Sequence, residues 1–252
     1  MAKKTKEQKL TEEKQKRLAE IARIQDKINA RHIRITVEEF ELWAGIHCTV
    51  NHTAKMSGVN SVSTSPEYNH NCQAKRGILG TICQKCYSIL MQKRYKTLRA
   101  SLWRNAWILS NVLFEEFELP YLYSATGFFR FEAFGDLMSE IQVVNYFRMA
   151  KVNQHLHFAL WTKNPWIIKQ AMKHYDIEKP ENLTIIASSY FTNEQMTFPE
   201  SAFPFIDKVF TVYDKKTAAK LGVVINCGGR SCKDCGRCYL NYGGRVVNEL
   251  LK

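Results

Sequence analysis

The chain has 252 residues, 45% of them hydrophobic, and a formal net charge of +12. That length supports one good-sized core with a small appendage rather than several large domains. No apolar run reaches the length of a membrane span and the N-terminus is charged rather than apolar, so the expectation is a cytoplasmic protein without a membrane partner or a secretory signal.

Residues 1–34 carry eleven Lys/Arg against five Asp/Glu, half of the net charge. Residues 1–9 read as a basic, disordered tail. From Leu10 to Ala30 the apolar residues Leu10, Leu18, Ile21, Ile24 and Ile28 recur at helical spacing and predict one narrow amphipathic helix. The basic segment suits nucleic acid or another anionic partner. Residues 45–82 are rich in Ser, Asn, His and Gly and read as a site-building loop. Met91, Tyr95, Leu98, Leu102, Ala106, Leu109, Leu113 and Phe117 then step by three and four, which predicts one long helix over 84–117.

Beyond it the pattern changes. Short apolar stretches at 128–133, 156–161, 183–188, 208–213 and 222–225 predict strands, with amphipathic segments at 137–151 and 164–176 and a polar loop through 190–205. Strand–helix alternation at this pitch means parallel βα units with right-handed crossovers. With one strand before the long helix the count is about six. The fold class expected is α/β, a partial parallel βα barrel, with an open doubly wound sheet as the other possibility. The chain divides into a basic tail and helix over 1–34, the partial barrel over 35–225 and a cysteine-rich segment over 226–252.

Seven of the eight cysteines fall into two groups. Cys227, Cys232, Cys235 and Cys238 lie within a dozen residues and can wrap one metal centre at little loop-closure cost. Zinc uses four thiolates, usually as two Cys-x2-Cys hairpins set apart by a longer loop. Successive x2 spacings with Gly228, Gly229 and Gly236 between them favour an iron–sulfur cubane, with zinc as the alternative. The other group is Cys72, Cys83 and Cys86. Cysteines two apart rarely bridge each other, which argues against a disulfide framework.

In parallel α/β folds the site lies where strands end. That rule selects Glu132 and Asp136 after the first clear strand, Thr162, Lys163 and Asn164 after the next, then Ser188 and Tyr190, Asp214, and Cys227. Glu132 and Asp136 are the candidate catalytic carboxylates. Arg130, Gly135, Thr162, Lys163 and Ser188 are the candidate cofactor-binding residues. Asp136 can equally cap the following helix, Thr162 and Asn164 can be turn residues before Pro165, and His155 and His157 read as structural.

Cys83-Gln84-Lys85-Cys86-Tyr87 before a helix resembles the end of the radical S-adenosylmethionine (AdoMet) signature, in which three thiolates hold a cubane and leave one iron for AdoMet. Here Cys72 lies eleven residues before Cys83, against four in that signature. A closer resemblance is to the phage-associated gene-product-eighty-eight family, over about residues 70–240. It rests on Cys72, Cys83, Cys86 and Tyr87 with Lys93, Arg94 and Tyr95; on Phe129, Arg130, Glu132, Gly135 and Asp136; on Thr162 and Lys163; and on Cys232, Cys235, Cys238 and Tyr239. It implies a phage or mobile-element setting, the host cytoplasm, and a barrel akin to radical-AdoMet folds.

Two functions follow. The first is a redox or radical-AdoMet-like enzyme with two [4Fe–4S] clusters at one rim, AdoMet as a candidate ligand and an electron donor as partner. The second is a nucleic-acid-binding protein, or a nuclease, whose metals are structural. In that reading Cys48 closes the first site as its fourth ligand, or His47, His52 or His70 does so instead.

Overall fold

A computed structural model describes residues 45–51, 54–240 and 242–251. The tail and amphipathic helix expected before residue 35, and His52, lie outside the described residues. Among the described residues seven strands form one sheet in sequential order: β1 (Cys48–Thr49), β2 (Asn60–Val62), β3 (Phe128–Phe131), β4 (His157–Thr162), β5 (Leu183–Ser188), β6 (Lys208–Tyr213) and β7 (Val246–Leu250). β1 is antiparallel to β2, and every later pair is parallel. Among the described residues no pairing joins β1 to β7. The helices are α1 (His70–Arg76), α2 (Tyr87–Arg94), α3 (Lys96–Asn111), α4 (Glu140–Val152), α5 (Pro165–Tyr175), α6 (Lys215–Leu221) and α7 (Cys232–Cys235). Among the described residues no helix is long and apolar enough to cross a membrane.

Strand side chains alternate between two faces, and each face has its own cover. Val62, Phe129, Phe131, Phe158, Leu160, Ile185 and Ala187 bury against α3, α4 and α5 through Leu109, Val143, Tyr146 and Ile168. Phe131 stacks on Tyr146 at 4.3 Å and on Phe158 at 4.9 Å. Val59, Ala159, Ile186, Phe210 and Val247 point the other way. They meet Tyr239, Cys227, Cys232 and Cys238 rather than a helix layer.

Three elements differ from expectation. The long helix breaks at Tyr95, whose backbone is extended, and stops at Asn111. Asn145 of α4 causes the stop: its Nδ2 donates to the Leu109 and Val112 carbonyls at 2.9 and 2.7 Å, and its Oδ1 accepts from Phe114 N. Phe117 thus leaves the apolar stripe and stands 88% exposed. Residues 222–225 form no strand. Asn226 and Cys227 donate to Asn248 O from outside β7, which has already taken the edge of β6. The loop read over 45–82 contains β1, β2 and α1.

Candidate functional site

The C-terminal ends of β2 to β5 carry a hydrogen-bonded polar rim. Glu132, directly after β3, is 2% exposed. Its carboxylate accepts from Tyr146 OH and Gln142 Nε2, each at 2.6 Å, and from Thr64 Oγ1 and N. Burial pushes its carboxyl up to about 7, against the pull of the hydrogen bonds from Tyr146 and Thr64. Its φ is +57°, a left-handed conformation that costs a non-glycine residue roughly 1–3 kcal/mol and occurs where a site over-determines it. Gly135 packs into the same corner. A Cβ there would stand 2.5 Å from Thr64 O and 2.6 Å from Glu132 Oε2.

Asp136 joins the strand ends. Its Oδ1 accepts from Thr162 Oγ1 at 2.6 Å and from Leu137 N at 2.8 Å, and its Oδ2 accepts from Lys163 N at 3.0 Å. Asp136 thus accepts from the residue that follows it in the loop, but Ser139, not Asp136, caps α4. Thr162 Oγ1 also accepts from Asn164 N, so the turn role and the site role of Thr162 coexist. Lys163 Nζ donates to Ser188 Oγ at 3.2 Å. Tyr190 OH donates to Lys163 O.

Three anchors bring the first cysteine group to this rim. Asn69 Oδ1 caps α1 by accepting from Cys72 N, while its Nδ2 donates to Asp136 O at 2.7 Å. Ile82 N donates to Tyr190 O at 2.9 Å, holding the Cys83 turn at the end of β5. Tyr87 OH, next to Cys86, donates to Ala133 O. Burial raises the Cys72 thiol, and the charges of Asp136, Cys83 and Cys86 raise it further. Burial raises the Cys83 thiol as well, while Lys163 and Lys75 pull it down. Lys75, one turn from Cys72, packs its ammonium 4.5 Å over the Tyr190 ring and donates to Asn164 Oδ1. Burial lowers its ammonium below the ordinary lysine value. Sequence reasoning missed Lys75, Asn69, Gln142 and Tyr146. Only Lys75 carried a usable signal, its place three residues after Cys72.

Cys48 is not with them. It sits in β1 opposite Val62, packed against the principal apolar core. Burial alone pushes its thiol up to about 12.

The C-terminal group lies on the second face of the sheet. α7 begins at Cys232, with Ser231 capping it. Tyr239 stacks on Phe128 at 4.9 Å and anchors the segment. Burial pushes the Cys238 thiol up to about 12, with Cys227 adding to the rise and Arg130 opposing it. Lys55 Nζ donates to Cys227 Sγ at 2.9 Å and to Glu249 Oε1 at 2.8 Å. Among the described residues, no three His, Cys, Asp or Glu side chains close on a point that would hold a single metal ion.

Fold and site together define an α/β protein with a mostly parallel sheet, one cysteine group at its strand-end rim and another across its second face. The family model for Gene product 88 matches residues 3–241, and the chain belongs to that family. No curated protein and no solved structure matches it.

Proposed function

We propose that the chain is a phage-encoded iron–sulfur enzyme of the redox or radical-AdoMet-like kind, built on a partial parallel βα barrel and acting in the host cytoplasm. The observation that carries this reading is the convergence of Cys72, Cys83 and Cys86 on the strand-end rim, beside Asp136, Lys75 and Lys163. Strand-end rims are where parallel α/β folds hold ligands. The sequential order of the parallel strands supports the barrel relationship.

The successive x2 spacings of Cys232, Cys235 and Cys238, with Gly228, Gly229 and Gly236 among them, favour clusters over zinc. Cys72, Cys83 and Cys86 would hold the first cluster, leaving one iron without a cysteine. Cys227, Cys232, Cys235 and Cys238 would hold the second. Such a cluster, once reduced, supplies an electron to a ligand such as AdoMet. The chain's own residues bind and orient. Lys163 and Ser188 present a cation and a hydroxyl at the rim, and Asp136 fixes the Lys163 backbone through Oδ2. Glu132 holds the Thr64 loop through both carboxylate oxygens.

The second reading, a nucleic-acid-binding protein with structural metal sites, takes the fourth ligand of its first site from Cys48 or from His47, His52 or His70. The packing of Cys48 into the apolar core speaks against Cys48 in that role. The test is anaerobic purification followed by iron, sulfide and zinc analysis and an absorbance spectrum. About eight irons with acid-labile sulfide are expected for two cubanes. Two zincs without sulfide would sink the iron–sulfur reading and leave the structural one.

A further inference from the structure

The chain carries its cations unevenly. Residues 68–114 hold eight Lys/Arg and no Asp or Glu. Arg99 is paired with Glu67, and Lys75 is held at the rim by Asn164 and the Tyr190 ring. Lys85, Lys93, Arg94 and Lys96 are exposed, and among the described residues none of them meets a carboxylate. All four lie in or beside α2, the helix that begins directly after Cys86.

The same surface exposes apolar groups. α2 buries Ser88, Ile89 and Gln92. Tyr87, Leu90 and Arg94, at i, i+3 and i+7, share its other face. Leu90 is 64% exposed, and Leu79, in the turn before Cys83, is 86% exposed. Tyr87 turns its hydroxyl inward onto Ala133 O and leaves much of its ring to solvent. The break at Tyr95 sets a second exposed ring at the end of the helix, with the Arg94 guanidinium 5.8 Å from its centroid. Exposed apolar groups rimmed by polar and charged ones mark interaction sites.

We propose that the α2 surface binds single-stranded DNA, with phosphates on Lys85, Lys93, Arg94 and Lys96 and bases laid against Tyr87, Leu90 and Tyr95. Cations interleaved with ring faces hold single strands without reading their sequence. A duplex needs only the cations, because its bases are already stacked on one another, and would leave the rings and leucines unused. RNA is told from DNA through the 2′-hydroxyl, a donor as well as an acceptor, and residues 68–114 supply no carboxylate to accept from it. Because Tyr87 follows Cys86, a strand lying on α2 passes the first cysteine group. The binding does not depend on which metal those cysteines hold.

The experiment is fluorescence-anisotropy titration of labelled oligothymidylate with the full-length protein over a range of salt, with a DNA duplex, oligouridylate and polyglutamate as competitors. Saturable binding that weakens with salt is expected, with each competitor weaker than the unlabelled oligothymidylate. Lys93→Gln with Arg94→Gln removes two phosphate contacts and should lower the slope of log affinity against log salt by about 1.4. Tyr95→Leu keeps an apolar group but removes the ring, and should weaken binding about tenfold at unchanged slope. No binding, or a duplex, oligouridylate or polyglutamate that competes as well as the DNA strand, overturns the proposal. So does unchanged affinity in the Lys93/Arg94 variant when Lys3, Lys4 and Lys6 changed to Gln abolish binding, because the basic N-terminus then carries the DNA. Iron, sulfide and zinc are measured on the same samples, and unchanged metal is expected in both surface variants. Metal lost together with DNA would place the effect in the cysteine group and overturn the surface assignment. Zinc in place of clusters would sink the iron–sulfur reading and leave the DNA surface standing.

Discussion

Arg130 and Glu132 are separated by one residue, yet their charges do not meet. The left-handed backbone at Glu132 turns its carboxylate onto Tyr146 and Gln142, on the opposite side of the sheet from the Arg130 guanidinium. A regular strand would have let the two neutralise each other. The conformation instead leaves a buried carboxyl on the helix side and, on the other, a guanidinium over the Trp161 ring that acts on the Cys238 thiol.

The buried carboxyl makes stability depend on pH. Glu132 titrates near 4.5 when unfolded and is pushed up to about 7 in the fold. Between those values the folded chain binds the extra proton, so stability falls as pH rises from about 4.5 to about 7, by about 3 kcal/mol in all. Urea unfolding midpoints measured across that range should decline in the unaltered protein. In Glu132→Gln they should decline less, because the titrating group is gone. Parallel curves for the two proteins would refute the assignment.

Gly135→Ala tests the corner around Glu132. The new methyl would press on the Thr64 carbonyl, a backbone atom with little room to yield. A loss of about 3 kcal/mol in unfolding free energy is expected, the upper range for overpacking. A change within about 0.5 kcal/mol, the level of a neutral surface substitution, would mean the corner is looser than described.

Removing Cys48 separates the two functional readings. Cys48→Ala should keep the full metal content of the anaerobically purified protein, because Cys48 packs in the apolar core rather than at the rim. Cys72→Ala should lose one centre and keep the other. Loss of a centre in the Cys48 variant would restore the closed four-thiolate site.

Lys55 sets the electrostatics of the second cysteine group. Its ammonium donates to Cys227 Sγ, and hydrogen bonds to ligating sulfur raise a cluster's reduction potential. In Lys55→Met the potential of the cluster proposed for the C-terminal cysteines, followed by spectroscopic redox titration, should move in the negative direction. The potential of the other centre should not change.

Much of this was legible in the chain because strands β3 to β6 are short apolar runs bounded by turn residues. The strand-end rule then placed Asp136, Thr162 and Ser188 at the rim, where the structure has them hydrogen-bonded. What escaped was decided by tertiary partners. Nothing near Asn111 announces a helix end, since Asn145 imposes it from another element. The stretch 222–225 has a strand's composition, but Val246–Leu250 holds the edge it would need. Glu132 was visible as a carboxylate in an apolar run, but not the face to which it turns, because alternation fails at one positive φ. The two cysteine groups were expected at one rim. The second group's contacts are instead with Phe128, at the opposite end of β3, and with Arg130.

The cover of the second sheet face has a consequence for how the protein is made. Tyr239 is synthesised more than a hundred residues after Phe128, on which it stacks. On the ribosome, the helix-side layer can be finished while Phe128, Trp161 and Phe210 still wait for their cover. The nascent chain must therefore carry a half-clad sheet until the segment from Cys227 to Tyr239, and then β7, have emerged.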